Sequence, residues 1–188
     1  MLKLTTVVFF ALSASAQIEI AVQINNNAGV PSAQLKEAVR IATRLFAATG
    51  ISPRWEVCSP GCTAEVGMPN YIVGLAGPQL ELPAQAALGF SMLKFGKGNK
   101  AAVSLPRIED FAEANNVPAA AVLAYTIAHE LCHMISGTKA HSKGVMTAKW
   151  DKENALRIGQ SRLQFEPRDV EAMRLGLQIL AENRREVE

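Results

Sequence analysis

The three histidines of this chain all lie between residues 129 and 141, within and just after its most apolar stretch. His129 and His133 are four residues apart, so on a helix they lie about 40° apart around the axis and about 6 Å apart along it. Two imidazoles placed in this way can converge on one metal ion at the usual zinc–nitrogen distance of about 2.0 to 2.1 Å. Glu130 completes the pattern H-E-x-x-H, in which the carboxylate acts as a general base toward water at the metal.

A catalytic zinc site needs three protein ligands and an open fourth position. His141 is the remaining histidine, and it follows Gly137, where a helix can end in a left-handed residue and turn the chain back. We therefore expect His129, His133 and His141 to bind Zn²⁺, with Glu130 as the catalytic residue. The alternative is that these are hydrogen-bonded core side chains with no metal. Burying them without a metal or hydrogen-bond partners would cost about 1 to 3 kcal/mol for each unsatisfied polar group.

The stretch from His129 to Met146 resembles the metzincin metallopeptidases, in which an H-E-x-x-H helix, a glycine turn, a third histidine and a Met-turn follow one another. It is most similar to small secreted bacterial zincin-like proteins, in which a His-Ser pair, a Gly-hydrophobic-Met step and a nearby Trp follow the motif. The corresponding residues are His141-Ser142, Gly144-Val145-Met146 and Trp150. An ordinary core methionine is an equal alternative for Met146, and we expect Trp150 to serve loop packing rather than a specificity pocket.

The turn departs from the common metzincin spacing H-E-x-x-H-x-x-G-x-x-H. That spacing places glycine at 136 and histidine at 139, where this chain has Ser136 and Lys139. The turn is longer by one residue before the glycine and by one after it, which a loop absorbs at small entropic cost. In gluzincins the third ligand is a glutamate on a later helix, so Glu153 is the rival to His141.

The resemblance implies an α+β fold with a mixed twisted sheet, a buried active-site helix and a helical C-terminal part. It also implies a secreted zinc metalloendopeptidase that cleaves peptide or protein substrates with a zinc-bound water activated by Glu130. Leu88–Leu93 is then the candidate edge strand for an extended peptide. The alternatives are a catalytically silent zinc-binding domain of the same fold and a zinc hydrolase of a non-peptide amide. Tyr71 and Tyr125 are uncommitted candidates for stabilising an oxyanion.

Apolar periodicity predicts the elements that position these residues. The predicted strands are Ile18–Ile24, Arg54–Cys58, Tyr71–Leu75, Leu88–Leu93 and Ala101–Leu105, with a hairpin over Lys94–Lys100. The predicted helices run from Ser32 to Gly50, from Ala119 to Ile135, from Asp151 toward Ile158, and onward from Pro167. We find no internal repeat and no linker, so 17–188 is expected to form a single catalytic domain.

Composition places the chain among ordinary globular proteins, because 49% of its 188 residues are hydrophobic and 19% are charged. A net charge of +2 gives no electrostatic reason to expect nucleic acid or an anionic membrane as a partner. No stretch after residue 16 is apolar enough to span a bilayer. Oligomeric state and cleavage preference have no sequence signal.

The first sixteen residues have the features of a secretory signal peptide. One lysine precedes a short apolar run, and Ala14-Ser15-Ala16 is a small-x-small cleavage pattern; a buried strand or helix is the alternative. We therefore expect a secreted or periplasmic protein. In such a compartment Cys58 and Cys62, which flank Ser59-Pro60-Gly61, are expected to form a disulfide, and Cys132 a buried core thiol.

Overall fold

The computed structural model describes residues 17–58, 68–78 and 88–185. Within these ranges the chain forms five strands, five α-helices and one 3₁₀ turn. The strands are β1 (Ile18–Asn26), β2 (Ile51–Cys58), β3 (Asn70–Ala76), β4 (Gly89–Ser91) and β5 (Lys100–Ser104). The helices are α1 (Ser32–Ala47), α2 (Leu105–Asn115), α3 (Ala119–Ser136), α4 (Lys152–Gly159) and α5 (Pro167–Arg185), and the 3₁₀ turn is Gly144–Met146.

The strands form one mixed sheet in the order β2-β1-β3-β5-β4. The β1–β2, β1–β3 and β3–β5 pairs are parallel, whereas β4 runs antiparallel to β5 across the predicted hairpin. The mixed sheet and its combination with helices confirm the predicted fold class. The predicted strand Leu88–Leu93 is too long, because the strand itself spans only Gly89–Ser91, with one further backbone hydrogen bond to β5 at each of Leu88 and Met92.

Strand β2 starts at Ile51, three residues before the predicted start at Arg54. The reason for the error is Pro53, which lacks the N–H that an interior strand needs. Because β2 forms the edge of the sheet, one of its sides has no described partner strand and the proline is tolerated there.

Helix α3 lies at the centre of the helical layer. It contacts α1, α2, α4 and α5 as well as strands β3, β4 and β5. Every residue from Ala121 to Ile135 is consequently buried, including the large side chains Leu123, Ile127 and Leu131. Burial of each such side chain contributes about 1.5 to 3 kcal/mol. This confirms the predicted buried helix, which ends one residue later than expected, at Ser136.

The sequence analysis missed α2, although its signals are present. Pro106 occupies the first turn of the helix, where a missing N–H costs nothing, and Ile108 and Ala112 recur at helical spacing. Asn116 ends the helix in a left-handed conformation with φ 52°. The structure therefore adds a helix between β5 and α3 that packs beside the candidate site.

Several sequence predictions concern residues outside the described ranges. The signal peptide at 1–16 is one of them. The predicted Cys58–Cys62 disulfide is another, because Cys62 lies outside these ranges, although Cys58 itself is disulfide-bonded. Cys132 is free and buried, as predicted, and burial raises the pKa of its thiol. None of the described helices combines the length and apolar composition needed to cross a membrane.

Candidate metal centre

The two motif histidines project from the same side of α3, one turn apart. The Nε2 atoms of His129 and His133 lie 3.1 Å from each other, and both side chains are nearly buried, with 9% and 5% of their surface exposed. Two zinc-bound nitrogens at tetrahedral angles lie about 3.3 Å apart, given a zinc–nitrogen distance of about 2.0 to 2.1 Å. The observed separation is therefore close to the one that a shared ion requires.

The opposite ring nitrogens of these histidines are fixed by backbone carbonyls. Nδ1 of His129 lies 2.8 Å from the Val145 oxygen, and Nδ1 of His133 lies 2.8 Å from the Thr138 oxygen. A carbonyl oxygen can only accept, so each Nδ1 carries the proton and donates it. Each Nε2 of the neutral ring then has a lone pair and no proton. Burial favours that neutral form and is the main reason why the pKa of His129 is lowered to about 4.

These tautomers exclude a hydrogen bond between the two Nε2 atoms, because both are acceptors. Two lone pairs 3.1 Å apart repel each other unless a cation lies between them. Hydrogen bonding of the second ring nitrogen to a carbonyl is also the arrangement by which proteins orient metal-binding histidines. The donor set thus fits a metal ion on the evidence of its own hydrogen bonds.

His141 reaches the other two histidines through a loop with defined anchors. Gly137 ends α3 with φ 68°, and its N–H bonds to the His133 carbonyl. A Cβ at Gly137 would lie 2.5 Å from the Gly96 oxygen of the hairpin, so only glycine fits there. The ligand nitrogens of His129, His133 and His141 all lie within 4.8 Å of one another. His141 is exposed, which leaves one side of the group open to solvent.

The 3₁₀ turn Gly144–Met146 holds both the His141 loop and the His129 ring by backbone hydrogen bonds. The Ser142 N–H bonds to the Met146 carbonyl at 3.0 Å, and the preceding carbonyl, that of Val145, fixes His129. Met146 is buried with 2% exposure. The rival ligand Glu153 is exposed in the first turn of α4 and does not belong to the three-histidine group.

Glu130 is buried between α3 and the edge strand β4. Only 4% of its surface is exposed, and Ser91 of β4 lies close enough to its carboxyl group to favour the ionised form. Burial raises the pKa of Glu130 to about 8, against the opposing effect of Ser91. Gly89 allows the strand to approach, because a Cβ there would lie 3.2 Å from Glu130 Cγ and 3.1 Å from Thr126 Cγ2.

The site opens into a cleft of about 450 Å³ that contains Glu130 and all three histidines in its walls. Leu88–Ser91 lines one side of the cleft, and Thr147–Trp150 lines another. Trp150 packs edge-on against Tyr125, Phe111 and His129 at centroid distances of 6.1 to 6.4 Å. Trp150 therefore has packing contacts, as expected, and it also lines the cleft.

No protein-family model and no curated protein matches this chain. Solved structures do match it. Archaemetzincin from Methanopyrus kandleri has 15% identity and a TM-score of 0.54, over 89% of this chain and 99% of that one. A zinc-dependent peptidase from Methanocorpusculum labreanum has 12% identity and a TM-score of 0.54, over 81% and 99%. Metalloproteinase-II from Bacteroides fragilis has 9% identity and a TM-score of 0.56; 89% of this chain aligns with about half (55%) of that one.

The chain has the same overall fold as these three solved structures. This fold and the three-histidine group together support Zn²⁺ as the ion of the site. The sequence analysis had not singled out Ser91, which lies beside Glu130 because β4 pairs with β5. No local pattern marks that contact, because it joins residues 39 positions apart in the chain.

The two tyrosines considered for oxyanion stabilisation do not line the cleft. Tyr125 is fully buried, and its hydroxyl donates to the Leu163 carbonyl at 3.1 Å. Tyr71 is buried in β3 with 2% exposure. Desolvation raises the pKa of both hydroxyls to about 12.

Proposed function

We propose that this chain is a secreted, metzincin-like zinc metalloendopeptidase. The observation that carries the proposal is the convergence of three imidazoles, two of them with unprotonated Nε2 atoms 3.1 Å apart, next to a buried carboxylate in an open cleft. Export is included because residues 1–16 have the features of a signal peptide; the exported form should begin at Gln17 in mass spectrometry.

His129, His133 and His141 would bind the ion, with the Val145 and Thr138 carbonyls holding the first two rings in orientation. When bound, zinc supplies Lewis-acid chemistry: it polarises a carbonyl oxygen and acidifies water. A cation bound by the neighbouring histidines would favour the ionised form of Glu130, which burial alone disfavours. Its carboxylate would then accept the proton of the attacking water and deliver it to the leaving amine nitrogen. Ser91 lines the cleft beside this carboxylate and favours its ionised form.

The edge strand β4 supplies a site for the substrate backbone. The Met92 N–H and the Leu88 carbonyl bond to β5, so Gly89 and Ser91 present their backbone N–H groups to the opposite side. No described strand pairs with β4 on that side. An extended peptide can add there as a further strand, which would place its scissile bond beside the three histidines.

The test compares zinc content and hydrolysis of a broad peptide library across three variants. Glu130→Gln should retain one zinc and lower kcat/KM by about 10²- to 10⁴-fold, the usual contribution of a general acid–base. His133→Ala should lose the zinc. Glu153→Gln is the matched control, since it removes an exposed carboxylate that is a ligand only in the gluzincin alternative; it should retain zinc and activity. A wild-type protein that binds one zinc but cleaves nothing in the library would be a silent zinc-binding domain.

A further inference from the structure

The segments that border the cleft carry an unusual distribution of charge. The edge hairpin, residues 88–100, and the loop after α3, residues 137–150, together contain six lysines and neither Asp nor Glu. The other 161 residues contain 13 Lys and Arg against 17 Asp and Glu, so they are net acidic. The small overall charge of +2 therefore hides a concentration of positive charge in the two segments that border the cleft. The six lysines are Lys94, Lys97, Lys100, Lys139, Lys143 and Lys149.

Folding brings the two segments together at one end of the cleft. The loop and the hairpin meet where Gly137 abuts the backbone of Gly96. Lys94 and Lys97 pair across the hairpin tip, and Lys139 lines the cleft two residues after Gly137. We call this the basic end of the cleft, defined by Lys94, Lys97 and Lys139.

The opposite end of the cleft is aromatic, with Lys149 next to Trp150 in the chain. Tyr125 precedes His129 by one helical turn, and Trp150 and Phe111 pack beside it, whereas Gly137 lies about 12 Å beyond His129 along α3. The cleft thus changes from aromatic to basic along the axis of α3, with the three histidines in between.

The lysines of the cleft have no anionic partner among the described residues. All six are exposed, and no ion pair joins any of them to a described Asp or Glu. Among the described residues that line the cleft, the one carboxylate is Glu130, which is buried beside Ser91. Lys139 and Lys149 both line the cleft, so unpaired positive charge faces the space that a substrate would occupy.

We propose that the substrates are polypeptide segments with Asp or Glu side chains within a few residues of the scissile bond, and that Lys94, Lys97 and Lys139 bind those carboxylates. This inference rests on the proposed function, because it assigns the substrate class of the same site. A peptide fits better than a polyanionic surface, because Lys139 lines a cleft that ends in an aromatic wall, and Lys94 and Lys97 lie at the hairpin tip that Gly137 contacts. Lysines arranged in this way also steer acidic chains toward the site at low ionic strength.

The test measures binding separately from cleavage. Two fluorescein-labelled peptides, identical except that three Glu residues are replaced by Gln, are titrated by anisotropy against zinc-loaded protein carrying Glu130→Gln. The Glu peptide should bind about tenfold more tightly in about 20 mM salt, and the difference should shrink in about 500 mM salt as the screening length falls. Lys139→Gln should weaken binding of the Glu peptide about twofold to fivefold, as expected for one exposed ion pair, and Lys94→Gln should act similarly. Lys36→Gln, an exposed lysine on α1, is the matched control and should have no effect.

The outcomes separate this inference from the proposed function. Equal affinity for both peptides, or wild-type cleavage of a library with no enrichment of Asp or Glu near the cut bond, overturns the inference and leaves a peptidase. Preferential binding of the Glu peptide without any cleavage supports the inference and contradicts the proposed function. Equally tight binding of anionic phospholipid vesicles or a DNA duplex would show non-selective attraction of anions and overturn it.

Discussion

Asp169 connects the last helix to the loop that carries His141, and its removal should loosen the metal centre. One carboxylate oxygen of Asp169 accepts hydrogen bonds from the Ser142 hydroxyl at 2.6 Å and from the Glu166 N–H at 3.2 Å. Ser142 directly follows His141, and its own N–H bonds to the turn that fixes His129. The charge of Asp169 also favours a cation near His133. Asp169→Ala therefore removes one acceptor that joins the His141 loop to the start of α5.

The size of the effect follows from these contacts. Hydrogen bonds to a charged acceptor contribute about 1.5 to 3 kcal/mol each, and the partial exposure of this pair favours the lower value. A loss of about 3 kcal/mol in the free energy of unfolding corresponds to a fall of about 6 to 12 °C in Tm for a chain of this length. Zinc affinity should fall about 10- to 100-fold, as is usual when a group that orients a ligand is removed.

Calorimetry of the zinc-free proteins measures the change in Tm, and competition with a chromophoric chelator measures the change in zinc affinity. Asp169→Asn keeps one oxygen acceptor but not the charge, so it should lie between the wild type and Asp169→Ala. Glu171→Gln, which removes an exposed charge from the same helix, is the control for a general electrostatic effect. Unchanged zinc affinity in Asp169→Ala would refute the role of this contact in positioning His141, even if Tm falls.

Two further predictions concern the metal and the helix packing. Removal of zinc by a chelator should lower Tm by about 10 °C, because an ion present at about 1,000 times its Kd stabilises the folded state by about 4.1 kcal/mol. Added zinc should restore the original Tm. A Tm that does not change with the chelator would contradict the metal site. Gly176→Ala should destabilise the protein by about 1 to 3 kcal/mol in urea unfolding, since a Cβ on Gly176 would lie 2.0 Å from the Ile135 oxygen. An alanine in an exposed helix gains about 1 kcal/mol over glycine instead, so a stabilised variant would mean that α5 and α3 do not pack this closely.

The helix of the candidate site could be predicted from sequence because its determinants are local. The spacing of His129 and His133 and the end of α3 at Gly137 depend on the geometry of one helix and on the backbone of one glycine. The strands of the sheet were also predictable in number and order along the chain. Their bounds were less so, because Pro53 is compatible with a strand only at the sheet edge, and a position in the sheet is not a local property.

The walls of the cleft could not be predicted because they depend on contacts distant in sequence. Ser91 meets Glu130 only after β4 has paired with β5, and Trp150 meets Phe111 only after α2 has formed. The six lysines are visible in the sequence, but a net charge of +2 conceals them until the hairpin and the loop are brought to the same cleft. A cluster of charges in the sequence thus points to a binding surface only when the fold shows that the charged segments lie together.

The turn before His141 is longer than in the metzincin pattern that the sequence resembles, yet it brings the third imidazole to the other two. Helix α3 extends to Ser136, and Gly137 then turns the chain with φ 68°. The extra residue after the glycine is taken up in a tight turn, in which the Ala140 N–H bonds to Thr138 Oγ1 at 3.0 Å. The Thr138 carbonyl meanwhile fixes His133, so one residue both orients a ring and starts the return of the chain. What must be preserved is the position of three nitrogen atoms, and a turn anchored by its own hydrogen bonds can deliver the third nitrogen at more than one spacing.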